Sequence, residues 1–387
     1  MIPRVAWIGT HPIQYQVPVF RILAASAEID FRVGFLTKHG MHPSYDKEFG
    51  RQVQWDTPLL DGYPWELIGD APMTLAEARK RDVVRFIQRT NADIFIVPGY
   101  NNALLVTAIV AARALGKTCA ILSDSTSDTS ALSPLQNLAK VTFLRGLLSN
   151  QYALVPGVRA RKAILRLGVR PEHVHVYPHC VDMERLDIAY TNREILRAEA
   201  RRELGWGDDD VGFLFVGKLV ERKKPLQTLA AFSQIDALGA KLAYIGTGEL
   251  ENELRRRCEL VPNAQCIGFR NQTELPRYYT AADVLVLYSA LDTWGLVVNE
   301  AMALGCAVLV SDVTGCAPDL VMGRGTGWVA SIGDVTNLAA TMKEAVGSRS
   351  TLHEMGLRGR ALISSYSPAQ AASGVIRAAR RLSSDDG

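Results

Sequence analysis

Asp283-Val-Leu-Val-Leu-Tyr-Ser-Ala-Leu-Asp-Thr-Trp-Gly-Leu-Val-Val-Asn-Glu-Ala-Met-Ala-Leu-Gly305 is the stretch whose reading decides the fold. Its opening run, through Tyr288, is short and apolar, as a parallel strand buried on both faces requires. A helix is expected to start near Gly295. The unpaired N–H groups and positive dipole end of its first turn would point into the crevice above the strand, where the preferred ligand is an anion such as a diphosphate. Asp292 then lies in the loop and Glu300 about a turn and a half into the helix. From there both carboxylates can accept hydrogen bonds from the hydroxyls of one ligand, the pattern of a nucleotide-sugar site. Taken alone, Asp292 reads equally well as an acidic residue beside a helix start, and Glu300 as a solvated helix position.

A chain of 387 residues is too long for one small core, and two or three domains are expected. Hydrophobic residues at 48% and charged residues at 21% suit a soluble globular enzyme. A net charge of +3 is close to balance and gives no support to nucleic-acid binding. The arginines at 255–257 and between Arg377 and Arg381 read as solvated helix faces. The cysteines, at 119, 180, 258, 266, 306 and 316, form no C-x-x-C pair and have no histidine at zinc-ligand spacing, which fits a reducing compartment. The apolar run between Met1 and Leu23 is broken by Gly9, His11, Pro12 and Gln14. It reads as neither a signal peptide nor a membrane span, so a cytoplasmic protein is expected.

Short apolar runs alternate with helical stretches along nearly the whole chain, the signature of βαβ units and parallel sheets. Strands are expected at 5–8, 31–36, 94–97, 119–122 and 152–155 in the first half, and at 212–216, 241–245, 264–267, 284–288 and 307–310 in the second. Each set suffices for a doubly wound sheet. The charged stretch from Asp187 to Asp210, with Gly205-Trp-Gly207 and the Asp208-Asp-Asp210 run, places the domain boundary near residue 186. Adjacent carboxylates there read as solvated loop residues rather than as metal ligands. No repeat of solenoid length is present.

Three further segments carry polar groups at strand ends. Phe213-Leu-Phe-Val-Gly-Lys-Leu-Val-Glu-Arg-Lys-Lys-Pro-Leu226 is a strand ending in Gly217, a basic loop and a helix from near Pro225. Lys218 and Lys223 lie at the carboxyl end of the strand, where open α/β sheets bind ligands, and would clamp two phosphates; taken alone they read better as a surface loop with a Lys-rich helix start. Cations just before a helix N-terminus oppose its dipole, which a bound anion would offset. Lys241-Leu-Ala-Tyr-Ile-Gly-Thr-Gly248 has the Gly246-x-Gly248 turn but lacks the full dinucleotide fingerprint, so nicotinamide cofactors are not expected. After the first strand, Gly9 permits close backbone approach, and His11, Gln14 and Tyr15 offer polar groups to a cleft ligand. His11 reads equally as a satisfied turn residue.

Together these motifs resemble the retaining glycosyltransferases of family 4. That resemblance implies the α/β GT-B fold, two Rossmann-like doubly wound parallel-sheet domains facing a central cleft. It covers roughly residues 150 to 370 strongly and the first 150 weakly. It rests on Gly217-Lys-Leu-Val-Glu-Arg-Lys223 against the pattern G-R-L-V-x-x-K, on Ile245-Gly-Thr-Gly-Glu-Leu250 and on Ala282 to Ser289. It rests further on the segment from Asp292 to Glu300, similar to a Glu-x7-Glu element, followed by Ala301-Met-Ala-Leu-Gly305 and Ser311-Asp312. The implied domains are an acceptor-side domain at 1–186 and a donor domain at 187–369, with a C-terminal helix at about 370–387 able to pack back on the first.

The resemblance also implies roles. Lys218 and Lys223 would hold the donor diphosphate, Glu300 the ribose hydroxyls, and Asp292 the donor sugar with backbone N–H groups of Thr293, Trp294, Gly295 and Leu296. Gly9, Gly217 and Gly246 would line the donor, and His11, Gln14 and Tyr15 the acceptor side. Catalytic roles fall to Lys218, Lys223, Asp292 and Asp124. Neither a metal nor a cofactor beyond the nucleotide sugar is implied. Three positions depart from the pattern. Asp292 is one methylene shorter than the usual glutamate, Asp124 stands where a histidine is common, and Tyr177-Pro-His-Cys-Val-Asp182 replaces a P-N-G-V-D hinge element.

The expected reaction is transfer of a sugar from a nucleotide diphosphate sugar to an acceptor hydroxyl with retained anomeric configuration, in glycan, polysaccharide or glycolipid synthesis. The alternatives are a nucleotide-sugar-binding subunit without turnover and a GT-B epimerase. Between Ala131 and Leu148, residues Leu132, Leu135, Leu138, Val141, Leu144 and Leu148 recur near helical spacing with Lys140 and Arg145 among them. This stripe reads as core, or as peripheral contact with the inner membrane face if the acceptor is lipid-linked.

Overall fold

The computed structural model describes residues 2–126, 134–235 and 239–385. In chain order its strands are β1 (Arg4–Gly9), β2 (Asp30–Phe35), β3 (Ser44–Asp46), β4 (Arg51–Val53), β5 (Trp65–Leu67), β6 (Ile94–Pro98), β7 (Thr118–Leu122), β8 (Tyr152–Val155), β9 (Val174–Val176), β10 (Val211–Val216), β11 (Ala240–Ile245), β12 (Ala264–Gly268), β13 (Val284–Leu287), β14 (Ala307–Ser311) and β15 (Gly327–Ala330). The chain divides into two compact units. The first is Met1–Pro43, Pro58–Cys180 and Pro368–Gly387, and the second is Ser44–Thr57 and Val181–Ser367. The division thus falls within Tyr177 to Asp182, and the segment from Ser44 to Thr57 belongs with the second unit.

The first unit holds a seven-stranded parallel sheet ordered β5-β2-β1-β6-β7-β8-β9. The second holds a six-stranded parallel sheet ordered β12-β11-β10-β13-β14-β15. In both, the order reverses beside the first strand, between β1 and β6 and between β10 and β13. That reversal is the topological switch of a doubly wound sheet, the place where the loops at the carboxyl ends diverge and leave a crevice.

The apolar runs form strands because helices cover both faces of each sheet. Along β10 every residue is buried. Leu214 and Val216 join a cluster with Ile245, Leu285 and Leu287, whereas Phe213 and Phe215 join the opposite one with Tyr244, Val284 and Val286. This is the two-residue alternation of a strand, with both sides apolar. The ten expected strands are all present. The sheets gain β5, β9 and β15, three- or four-residue strands at or beside sheet edges.

The charged stretch near the expected boundary forms two helices, Met183–Thr191 and Arg193–Leu204. The second is anchored at the start of β13, where Arg197 and Arg201 each reach a different oxygen of Asp283 at 2.7 Å. Asp209 pairs with Arg349 at 2.8 Å. The C-terminal helix, Pro368–Asp385, packs in the first unit against β9 and the helix Val17–Ala25, and Arg380 meets Glu28 at 2.8 Å. Within the stripe of the helix Pro134–Leu148, Leu144 and Leu148 are buried while Leu138 is exposed, as is Phe143 outside the stripe. Leu132 lies outside the described residues. No described helix is long and apolar enough to cross a membrane.

Candidate functional site

In the second unit the switch lies between β10 and β13, and the loops that follow these strands carry the basic and acidic residues singled out by sequence. The β10 loop leaves the sheet at Gly217 and runs beside the β11 loop in backbone contact. A Cβ at Gly246, whose φ is +142°, would stand 1.9 Å from the Gly217 carbonyl oxygen, so the two loops meet only because residue 246 is glycine. Hydrogen bonds from the Gly217 N–H to the Ile245 carbonyl and from the Leu219 N–H to the Thr247 carbonyl extend the parallel ladder into these loops. The Ala290 N–H donates to the Arg222 carbonyl at 2.8 Å and ties the β10 loop to the β13 loop.

The β13 loop turns into the helix Leu296–Ala303 through Gly295, which has a φ of +96°. A side chain there would press a Cβ to 2.5 Å from the Leu287 side chain. The helix therefore begins close to the end of the strand, with its first-turn amides at the crevice. Lys223 pairs with Asp292 across the two loops. Lys218 is placed otherwise. Its Nζ lies 3.0 Å from an Asp46 oxygen and 2.8 Å from Glu48, with the Phe49 ring 4.6 Å away, and Arg222 also reaches Glu48 at 3.0 Å. These partners belong to the β3–β4 hairpin, which also stacks Arg51 on Phe269 and holds Phe49 edge-on to the same ring.

Glu300 points inward: it is 8% exposed and accepts a 2.7 Å hydrogen bond from the Tyr279 hydroxyl. Burial raises its carboxyl above the usual range, against the lowering effects of Tyr279 and Arg185. The Trp294 ring is core, donating to Asn299 at 2.9 Å, so only its backbone is available to a ligand. Thr293 is exposed, and Leu296 is half-buried at the helix start.

In the first unit, Gly9 ends β1 against the Phe35 ring, which a Cβ would approach to 2.8 Å. His11 meets Thr10 at 3.0 Å and the His39 ring edge-on at 4.9 Å, and burial together with His39 pushes it down to about 4. Gln14 is half-buried on the same loop. Tyr15 is pushed up to about 12 by burial, Asp124 and Cys180. His179 joins this group, with its Nε2 3.7 Å from Asp124 and its ring edge-on to Tyr15 at 6.3 Å. The fold thus gathers Tyr15, Asp124 and His179, whereas His11 lies with His39.

Sequence reasoning missed Asp46, Glu48, Tyr279 and the place of His179 in this cluster. Only His179 left a trace, as a departure from the hinge pattern.

Residues 197–362 match the family model described as glycosyl transferases group 1, and that stretch lies wholly in the second unit. An uncharacterized glycosyltransferase of Methanocaldococcus jannaschii is 35% identical over 119 residues, 30% of this chain and 30% of its own. A D-inositol 3-phosphate glycosyltransferase of Nocardia farcinica is 29% identical over 229 residues, 56% of this chain and 49% of its own. The chain therefore spans less than half the length of these relatives. Among solved structures, Anabaena HepE in complex with UDP and glucose superposes with a TM-score of 0.72 at 15% identity, over 99% of this chain and 100% of that one. The two doubly wound units are those of the GT-B fold, and residues 197–362 are similar in sequence to the glycosyl transferases group 1.

Proposed function

We propose that the chain is a retaining glycosyltransferase of the family 4 type that moves a sugar from a nucleoside diphosphate sugar to an acceptor hydroxyl. The observation that carries this reading is the convergence, at the switch between β10 and β13, of Lys223, Asp292 and the start of the helix Leu296–Ala303, with Lys218 on the same β10 loop. The match of residues 197–362 and the UDP and glucose held by the Anabaena protein support it.

In the proposed reaction the bond from the anomeric carbon to the diphosphate oxygen breaks, and its electron pair leaves with the diphosphate. The acceptor oxygen bonds to the anomeric carbon on the same face, and its proton passes to the departing phosphate oxygen. Lys218, Lys223 and the helix amides stabilise the charge that gathers on the leaving group. A preorganised donor of this kind contributes on the order of 3 to 4 kcal/mol. Asp292 orients Lys223 and, through its second oxygen, takes a hydroxyl of the sugar. Glu300 accepts from the ribose, and Gly217 and Gly246 let backbone approach the donor. On the first unit, Asp124 and Tyr15 serve the acceptor, with His11 and Gln14 on the same loop as Tyr15. Peripheral membrane contact through the exposed Leu138 and Phe143 fits a lipid-linked acceptor.

The test is thermal stabilisation by a panel of uridine and guanosine diphosphate sugars, followed by NMR of the anomeric configuration in the product. A ligand at 100 times its Kd adds about 2.7 kcal/mol of stability. If no member of the panel shifts the transition, the donor-site reading is wrong; an inverted product would overturn retention alone.

A further inference from the structure

Outside the proposed donor site, two of the cysteines meet. Cys258, the last residue of the helix Glu251–Cys258, and Cys266, in the middle of β12, place their Sγ atoms 3.7 Å apart. Cys258 is buried and Cys266 half-buried, while Cys119, Cys180, Cys306 and Cys316 are all buried. The two sulfurs are in van der Waals contact, and a disulfide would bring them to about 2.05 Å.

Arg255, one turn before Cys258, fixes the surroundings. Its Nη1 donates to the Cys266 carbonyl at 2.9 Å, and its Nε and Nη2 hold Glu251 at 3.0 and 2.8 Å. The helix and β12 are therefore clamped side by side, which holds the two sulfurs near each other. The contact with Cys266 and the charge of Arg255 lower the Cys258 thiol, while the same contact and burial raise that of Cys266. Either sulfur can therefore serve as the nucleophile with the other as the resolving thiol.

We propose that Cys258 and Cys266 form a peroxide-responsive dithiol site that closes reversibly to an intramolecular disulfide. One thiol gives up its proton and its thiolate attacks the O–O bond of hydrogen peroxide, so that one oxygen becomes a sulfenic acid and the other leaves as hydroxide, which takes up that proton as one water. The other thiol then attacks that sulfur, the S–S bond forms and the sulfenic oxygen leaves with the second thiol's proton and one more as a second water. Two thiols are oxidised by two electrons and one hydroperoxide is reduced. Closure would lock the helix that follows the Gly246–Gly248 turn to the strand that ends at Gly268. The inference does not depend on the transferase reading.

Trypsin releases both cysteines on one peptide, 258–270, between Arg257 and Arg270. The full-length chain is treated with hydrogen peroxide under native conditions, blocked with iodoacetamide and digested. The expected peptide is about 2 Da lighter than its free-thiol form, carries no alkyl group, and takes up two alkyl groups after dithiothreitol and a second treatment with iodoacetamide. Cys258→Ser and Cys266→Ser should each abolish the mass loss. A peptide that stays fully alkylated, or that gains oxygen without losing hydrogen, overturns the proposal; because it is read on the unmutated chain, misfolding of a variant cannot obscure the result.

Discussion

The Tyr279 hydroxyl donates a 2.7 Å hydrogen bond to Glu300, a carboxylate that the helix Leu296–Ala303 carries into the buried side of the second unit. Burial raises the Glu300 pKa, so the folded chain holds a proton over a pH range where the unfolded chain has lost it. Stability associated with this group is therefore greatest below the ordinary carboxyl pKa and declines as pH rises through the folded-state value. Glu300→Gln removes that decline. Relative to the variant, the parent chain should lose about 1.4 kcal/mol for each unit by which its pKa is raised, measured by urea unfolding from pH 4 to pH 8. The same variant should lose the thermal shift given by the donor. Parallel pH profiles for the two chains would show that Glu300 titrates normally.

Lys218 faces a different test, because Asp46 and Glu48 occupy its ammonium at 3.0 and 2.8 Å. Two carboxylates stand where the proposed diphosphate needs the same cation. Such part-exposed pairs contribute about 0.2 to 1 kcal/mol each, so replacing both by Asp46→Asn and Glu48→Gln should tighten uridine diphosphate roughly 2- to 30-fold in calorimetric titration. Lys218→Ala should weaken it instead. Weaker binding by the doubly neutralised chain would mean that the hairpin carboxylates assist the ligand rather than compete with it.

What was legible in the sequence follows from what is local. A strand buried on both faces has to be apolar throughout, which is why β10 and β13 stand out; Val174-His-Val176 is three residues long with a polar centre and does not. The positions of Lys218, Lys223, Asp292 and Glu300 at strand ends and helix starts come from chain order alone. Their partners do not. Asp46 lies 172 residues from Lys218, and only the placement of the hairpin with the second unit brings them together. Glu300 read as a candidate solvated position because nothing near it in sequence announces that Tyr279 will close over it. His179 read as part of a connecting element, although its ring ends beside Tyr15 and Asp124.

The contact between the β10 and β11 loops makes a stability prediction. At Gly246 a methyl group would meet both an unfavourable φ of +142° and the Gly217 carbonyl at 1.9 Å. Gly116 has a φ of +66° with nothing within 4 Å. Gly116→Ala should therefore cost only about 1 kcal/mol from backbone conformation. Gly246→Ala should cost about 3 kcal/mol or more, since strain and clash add. Denaturant midpoints decide the matter, and equal costs would remove the argument that backbone contact fixes this loop.

On the first unit the cluster of Tyr15, Asp124 and His179 should separate two half-reactions. If these side chains serve the acceptor alone, Asp124→Asn and His179→Gln leave the donor-binding residues of the second unit unchanged. Transfer to acceptor should then fall by 10²- to 10⁴-fold, the range for loss of a positioned proton-transfer group. Slow hydrolysis of the donor by water and its thermal shift should persist. His179 packs against Asp124 with its Nε2 3.7 Å from the carboxylate, so His179→Gln keeps a polar partner there. The two rates are measured in one assay, with and without acceptor, by following release of the nucleoside diphosphate. A proportional fall in both would place the defect in the donor site or in folding and would remove these residues from the acceptor side.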